Sequence, residues 1–92
     1  MYTFEESTAP QPQESLENYI KRLRSRLSLS QQQLAAAAGI HLQSLGKLER
    51  GKTLRLNQKT KKGLAIALNI PEEYLDAVIS GLPVEAVQKK QY

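Results

Sequence analysis

The sequence predicts an all-α domain built from five short helices. Apolar residues recur at intervals of three and four positions, the spacing of an amphipathic helix, in successive segments of the chain. Residues 30–51, SQQQLAAAAGIHLQSLGKLERG, show the pattern most clearly, with a short helix, a turn that contains glycine, and a second short helix. The length of 92 residues limits the chain to one small domain with a modest core.

Two segments come before this unit. Residues 1–14 are polar, contain Pro10 and Pro12 and lack helical periodicity, which predicts a flexible N-terminal arm. Ser15 is the predicted N-cap of the first helix and begins a domain that extends over residues 15–80. The core stripe of the first helix consists of apolar residues at helical spacing, namely Leu16, Tyr19, Ile20, Leu23 and Leu27.

The helix-turn-helix is predicted at about residues 31–50. Ser30 and Gln33 have the spacing of a capping box, and Gly39 ends the second helix because glycine adopts the left-handed conformation without steric cost. The third helix, at about residues 42–50, carries Leu45 and Leu48 on one side. Its opposite side, at roughly 100° per residue, carries Gln43, Gly46, Lys47 and Arg50. A helix that packs on one face and presents amide and amine groups on the other is suited to recognition.

Two further helices complete the domain. Asn57 is the predicted cap of the fourth helix, which buries Leu64, Ala65 and Leu68. Pro71 begins the fifth helix, whose first turn holds Glu72 and Glu73 and whose apolar side consists of Tyr74, Leu75, Val78 and Ile79. The tail, residues 81–92, is apolar enough for two interpretations, since it either covers the core or contacts a second subunit.

The net charge of +4 is unevenly distributed along the chain. Residues 21–62 contain eleven Lys and Arg residues and one acid, Glu49, whereas residues 1–20 and 71–88 each contain four acids and no base. A basic centre between acidic ends is the electrostatic pattern of a protein that binds a polyanion.

Composition disfavours several classes of function. The chain has no cysteine and a single histidine, His41, so neither a disulfide framework nor a metal or other cofactor site is expected. It lacks the convergent nucleophile, base and stabilising groups that catalysis requires, and no pocket for a small-molecule ligand is indicated. No apolar run reaches membrane-spanning length and no signal peptide is visible, so we expect a cytoplasmic protein that is not an enzyme.

A specific set of residues carries a family resemblance. It consists of Ser30-Gln31, Leu34-Ala35, Gly39-Ile40, Leu45, Leu48-Glu49 and Gly51, with Leu23-Arg24, Leu64-Ala65, Leu68 and Leu75 in the flanks. With this spacing, residues 16–80 resemble the lambda-repressor/Cro-like (XRE) family of helix-turn-helix DNA-binding domains. The resemblance implies a five-helix fold that binds double-stranded DNA as a small transcriptional regulator of the repressor type. It also implies that Arg24 pairs with Glu49 in a structural ion pair.

The resemblance further implies that the third helix enters the major groove. Gln43 and Lys47 lie one helical turn apart and are the predicted base readers, because glutamine can bond adenine N6 and N7 and lysine can bond guanine O6 and N7. Ser44 is assigned to the same site in an assisting role. Leu42 has two interpretations, since it either touches a thymine methyl group or extends the core stripe.

Phosphate contacts are assigned to three other residues. Lys52 and Arg55 lie in the loop after the third helix, which the family uses to contact phosphates. Gln31 lies at the start of the second helix, where unpaired N–H groups and the helix dipole favour an anion.

Features of the third helix also favour an alternative function, a protein-interaction module on the same fold, such as an antitoxin or an adaptor, with weak or no DNA reading. Gly46 lies in mid-helix, where glycine is unfavourable, and indicates either a close approach to the groove or a degenerate reading helix. Leu42 occupies a position that is often polar in the family. Duplex binding with a steep salt dependence distinguishes the two functions.

On DNA we expect a homodimer, because related domains bind two half-sites about one helical turn apart through two-fold symmetry. The candidate surface is the fifth helix with the tail, around Val78, Ile79, Leu82 and Val84. No membrane partner is expected.

Overall fold

A computed structural model describes residues 8–52 and 56–81 of the chain. These ranges contain five α-helices and no β-strand, which confirms the predicted all-α fold. The helices are α1 (Leu16–Arg26), α2 (Gln31–Ala38), α3 (Leu42–Glu49), α4 (Gln58–Leu68) and α5 (Glu72–Ser80). The predicted helix-turn-helix therefore consists of α2 and α3.

The predicted caps fix the beginnings of three helices. Ser15 Oγ accepts the N–H of Asn18 at the start of α1, and Asn57 Oδ1 accepts the N–H of Thr60 at the start of α4. At α2 both halves of the capping box are formed: Ser30 Oγ accepts the N–H of Gln33 at 3.0 Å, and Gln33 Oε1 accepts the N–H of Ser30 at 2.9 Å. Side-chain oxygens thus satisfy N–H groups that have no partner inside a helix.

The first four helices share one type of C-terminus. In each, the last turn closes with a pair of backbone hydrogen bonds, such as Ile40 N–H to Ala35 O at 3.0 Å and Gly39 N–H to Ala36 O at 3.2 Å in α2. This is the Schellman arrangement, which needs a residue with positive φ. That residue is Ser28 after α1 (φ 58°), Gly39 after α2 (72°), Gly51 after α3 (74°) and Asn69 after α4 (60°).

The core lies where all five helices meet. Its fully buried side chains are Tyr19, Ile20, Leu23, Leu34, Leu45, Leu64, Leu68 and Leu75. Leu27, predicted to continue the stripe of α1, is instead 37% exposed, because α1 ends at Arg26 and Leu27 lies in the turn that follows. α2 packs mainly against α4, and α3 packs against α1 and α2.

Residues 8–14 pack against α1, although the sequence predicted a flexible arm over residues 1–14. The hydroxyl of Tyr19 donates to the carbonyl oxygen of Thr8 at 2.6 Å. Arg22 donates to both oxygens of Glu14, at 2.7 and 2.8 Å. Tyr19 and Arg22 of α1 therefore hold residues 8–14 by hydrogen bonds that the polar composition of those residues does not predict. The first half of the predicted arm, residues 1–7, and the tail, residues 82–92, lie outside the described residues.

The Glu14 carboxyl is held in its charged form. Burial alone would raise its pKa, but hydrogen bonds from Arg22 and from the backbone N–H of Gln11 outweigh this effect and lower the pKa below its usual value. The interaction with α1 is therefore complete at neutral pH.

Gly63 allows α2 and α4 to approach closely. A Cβ atom on this residue would overlap the carbonyl oxygen of Ala38 and would lie 3.1 Å from the Ala38 carbonyl carbon. The neighbour is backbone at the end of α2, so it cannot move aside by a side-chain rotation. The α2–α4 contact therefore requires glycine at this position.

We expect Gly63→Ala to destabilise the domain. Alanine improves the helix propensity of α4 by about 1 kcal/mol, but overpacking against a backbone carbonyl costs about 1–3 kcal/mol. The overpacking penalty should lie at the upper end of this range, because the Ala38 backbone cannot rotate away. The net loss in free energy of unfolding is then about 1–2 kcal/mol, which urea denaturation measures. Gly46→Ala is the matched control, because a Cβ there meets only the end of the Arg50 side chain, and it should stabilise the protein. Equal stabilisation in both variants would contradict this account of Gly63.

Candidate nucleic-acid interface

The two sides of α3 have different environments. Leu45 and Leu48 are 0% and 2% exposed and anchor the helix in the core. The four predicted base-reading residues are all exposed on the same helix, namely Leu42, Gln43, Ser44 and Lys47. The structure thus brings these four residues together on the surface. Leu42 is 45% exposed, so it does not extend the buried stripe that Leu45 and Leu48 form.

The N-terminus of α3 has no side-chain cap. His41 occupies the N-cap position with extended backbone and makes no side-chain hydrogen bond to the first turn. The first turn of α3 therefore lacks the side-chain capping bond that α1, α2 and α4 each have.

Glu49 is a buried charge at the end of α3, with 4% of its surface exposed. Arg24 of α1 donates to both of its oxygens, from Nε at 2.7 Å and from Nη2 at 2.9 Å. Arg24 also donates from Nη1 to the carbonyl oxygen of Leu29 at 3.0 Å. The hydrogen bonds to Glu49 raise the pKa of Arg24 above its ordinary value despite the opposing effect of burial. The structure therefore places Arg24 and Glu49 in a two-pronged ion pair that links α1 to α3.

Gln31 takes part in the same network. Its amide nitrogen donates to Glu49 Oε1 at 3.0 Å, and the side chain is half-buried. One of the two amide hydrogens of Gln31 is therefore used inside the protein, which the assignment to a phosphate did not anticipate. A lone acid at the end of one helix and an amide at the start of the preceding helix are the sequence signals for this contact.

The loop after α3 begins with Gly51 and Lys52. Gly51 has φ +74°, and a Cβ there would overlap the carboxylate of Glu17 from α1. Lys52 is exposed beside it. The carboxylate of Glu17 thus lies at the edge of the candidate interface, which the sequence did not indicate. Arg55, the other loop residue assigned to phosphates, lies outside the described residues.

Some basic side chains are paired inside the protein and others are not. Arg22, Arg24 and Lys61 each form an ion pair with an acid, respectively Glu14, Glu49 and Asp76. Within residues 8–52 and 56–81, the side chains of Lys47, Arg50 and Lys52 have no hydrogen-bond or ion-pair partner. These three side chains are therefore available to an external anion.

Neither a membrane-spanning helix nor a metal cluster is present in the described residues. None of the five helices has both the length and the apolar character needed to cross a lipid bilayer. Residues 8–52 and 56–81 contain no cluster of three or more His, Cys, Asp or Glu side chains that could hold a metal ion.

The chain matches a known protein family. A family model described as Helix-turn-helix matches residues 20–75, which include α2, α3 and α4 and parts of α1 and α5. No curated protein and no solved structure matches the chain.

We expect Glu49→Ala to lower the free energy of unfolding by more than the ~0.2–1 kcal/mol of an exposed ion pair. Breaking a fully buried pair costs about 3–5 kcal/mol, and the partial exposure of Arg24 lowers the expected loss to about 1–3 kcal/mol. The control is Asp76→Ala, which breaks the Lys61–Asp76 pair on a side chain that is 38% exposed. Urea denaturation midpoints that shift equally in both variants would contradict a special role for Glu49.

Proposed function

The chain belongs to the lambda-repressor-like (XRE) helix-turn-helix family of DNA-binding regulators, and we propose that it binds double-stranded DNA sequence-specifically as a small transcriptional regulator in the cytoplasm. The observation that carries the proposal is the division of α3 into two faces. Leu45, Leu48 and Glu49 fix one face, while Gln43 and Lys47 are exposed on the other. An α-helix presented in this way fits the major groove.

Base reading is assigned to Gln43 and Lys47, with Ser44 assisting. The two side chains are four residues apart in one helix, so they project from the same face at successive turns. Glutamine recognises adenine through N6 and N7, and lysine donates to guanine O6 and N7. Leu42, being 45% exposed, is able to contact a thymine methyl group.

Phosphate contacts are assigned to Lys52, Arg55 and Gln31. Lys52 is exposed in the loop after α3, and no acid among the described residues pairs with it. Gln31 retains one amide hydrogen and lies in the first turn of α2, where the helix dipole favours an anion. Through its bond to Glu49, a phosphate contact at Gln31 would also fix the end of α3.

Exposure of Leu42 also supports a second candidate, a protein-interaction module with weak or no DNA reading. The exposed side chain of Leu42 offers an apolar contact to a partner protein on the outward face of α3. The two functions differ in salt dependence, since phosphate contacts release counterions and make duplex affinity fall steeply with salt.

We also propose that two copies bind one operator. A single reading helix covers only a few base pairs, and two-fold symmetric pairs of such helices read half-sites about one DNA turn apart. The assigned surface is α5 with the tail. Ile79 is 38% exposed on α5 and Val78 is half-buried, whereas Leu82 and Val84 lie outside the described residues.

Lys47→Ala and Lys52→Ala form a matched pair that separates base reading from phosphate contact. Each removes one exposed lysine, yet only Lys47→Ala should relax the preference at one position of the selected site. Lys52→Ala should weaken binding to all sequences alike and reduce the salt slope by about one unit. Gln43→Ala should cost about 1–3 kcal/mol at a single position. Fluorescence anisotropy with specific and random duplexes over a salt series measures these effects.

The base-reading assignment fails if Gln43→Ala and Lys47→Ala both leave the ratio of specific to random-duplex affinity unchanged at fixed salt. The proposed function itself fails if the wild-type protein binds no duplex, which would favour the interaction module.

A second pair of variants tests the dimer. We expect Ile79→Glu to abolish paired occupancy of the two half-sites, because it places a charge in the proposed contact. Ile66→Glu is the control, since Ile66 is 70% exposed on α4 and outside that surface. Footprinting and sedimentation of the protein–DNA complex report the occupancy. A saturated 1:1 complex on a single half-site in the wild type would rule out this assembly.

A further inference from the structure

Arg50, the residue that follows α3, has an unused guanidinium group. Arg22 and Arg24 are both held by buried or half-buried carboxylates, those of Glu14 and Glu49. For the side chain of Arg50, residues 8–52 and 56–81 provide no hydrogen-bond or ion-pair partner. The position of the Arg50 guanidinium is therefore determined by packing or by an external ligand.

The guanidinium of Arg50 folds back by one helical turn and lies over Gly46. A Cβ atom built on Gly46 would lie 3.0 Å from Nη1, 3.8 Å from Cζ and 3.9 Å from Nη2 of Arg50. Three atoms of the group thus face the glycine. Gly46 is buried, although it lies toward the outward side of α3 and these are its nearest side-chain neighbours. Glycine at this position therefore leaves room for the guanidinium against the helix.

We propose that Arg50 reads a guanine in the major groove from its position over Gly46, beside the bases contacted by Gln43 and Lys47. This inference rests on the proposed function, duplex binding through α3. Gly46 then acts as the residue that makes room for the reading group, rather than as a sign of a degenerate reading helix.

The position and the chemistry of the group favour a base over a phosphate. A side chain that extended from the end of α3 would point beyond the helix, toward the DNA backbone. The folded-back guanidinium instead lies at the level of Gly46, in the middle of the outward face. Its planar fork of donors matches the O6 and N7 acceptors of guanine. Because it has no internal partner, it can make this contact without breaking an existing bond.

The test uses the full chain and duplexes selected from a random-sequence pool at fixed salt. We expect the wild type to select a guanine at a position that Arg50→Ala no longer prefers. The discrimination at that position should fall by about 5- to 150-fold, while preferences at other positions persist. Arg50→Lys should weaken the guanine preference and keep the wild-type salt slope, since it conserves the charge.

Two further measurements make the contact specific. Replacing the selected guanine by 7-deazaguanine removes the N7 acceptor, so it should weaken binding by the wild type but not by Arg50→Ala. Gly46→Ala should raise the thermal unfolding midpoint through its better helix propensity and still reduce the guanine preference, because the added methyl group displaces the guanidinium. A loss of reading in a more stable protein cannot be attributed to misfolding.

The possible failures are distinguishable. If Arg50→Ala weakens all duplexes equally, Arg50 contacts a phosphate, and the proposal is overturned. An unchanged guanine preference in Arg50→Ala overturns it as well, and both results leave the proposed function intact. If the wild-type protein binds no duplex, the proposed function and this inference fail together.

Discussion

The buried carboxylate of Glu49 is the constraint on which the arrangement of the first three helices depends. A charge that is 4% exposed is tolerated only if hydrogen bonds replace the water it has lost. Arg24 of α1 and Gln31 of α2 provide those bonds, so the three helices must meet at one point. The geometric requirement is strict, because no buried side-chain nitrogen or oxygen among the described residues lacks a hydrogen-bond partner. The end of α3 is consequently fixed relative to the start of α2.

Ion pairs of this kind reduce the positive charge that the basic segment presents to a ligand. Residues 21–62 carry eleven Lys and Arg residues, but part of this charge is used internally. Arg22 neutralises Glu14, Arg24 neutralises Glu49 and Lys61 neutralises Asp76. The side chains available to an external anion include Lys47, Arg50 and Lys52, which lie on α3 or next to its end. The formal charge of this segment therefore exceeds the charge that a ligand would meet, and three of the side chains that remain lie at α3.

Local patterns predicted much of this fold. The bounds of α2 follow from the capping box of Ser30 and Gln33 and from the left-handed conformation of Gly39, which are properties of neighbouring residues. The family match over residues 20–75 agrees with the resemblance found in the sequence. The packing of residues 8–14 on α1 could not be predicted, because Glu14 and Arg22 belong to different segments and their contact requires the folded backbone.

The candidate site shows the same division. Exposure of Gln43 and Lys47 follows from helical periodicity, whereas the hydrogen bond from Gln31 to Glu49 joins two helices and leaves no periodic signal. Helical periodicity correctly predicts that Arg50 lies on the outward side of α3. The position of its guanidinium over Gly46, however, depends on the conformation of the side chain. Likewise, the need for glycine at position 63 arises from the carbonyl group of Ala38 on another helix.

The separation of the two faces of α3 has a consequence for how the protein evolves. The inward residues, Leu45, Leu48 and Glu49, are packed or hydrogen-bonded inside the domain, whereas Gln43, Ser44 and Lys47 are exposed. Replacements at positions 43, 44 and 47 are therefore nearly neutral for stability, and selection can act on them independently of the core. If α3 reads DNA as proposed, paralogues that arise by gene duplication would acquire new operators through a few substitutions at these positions while they keep the same scaffold.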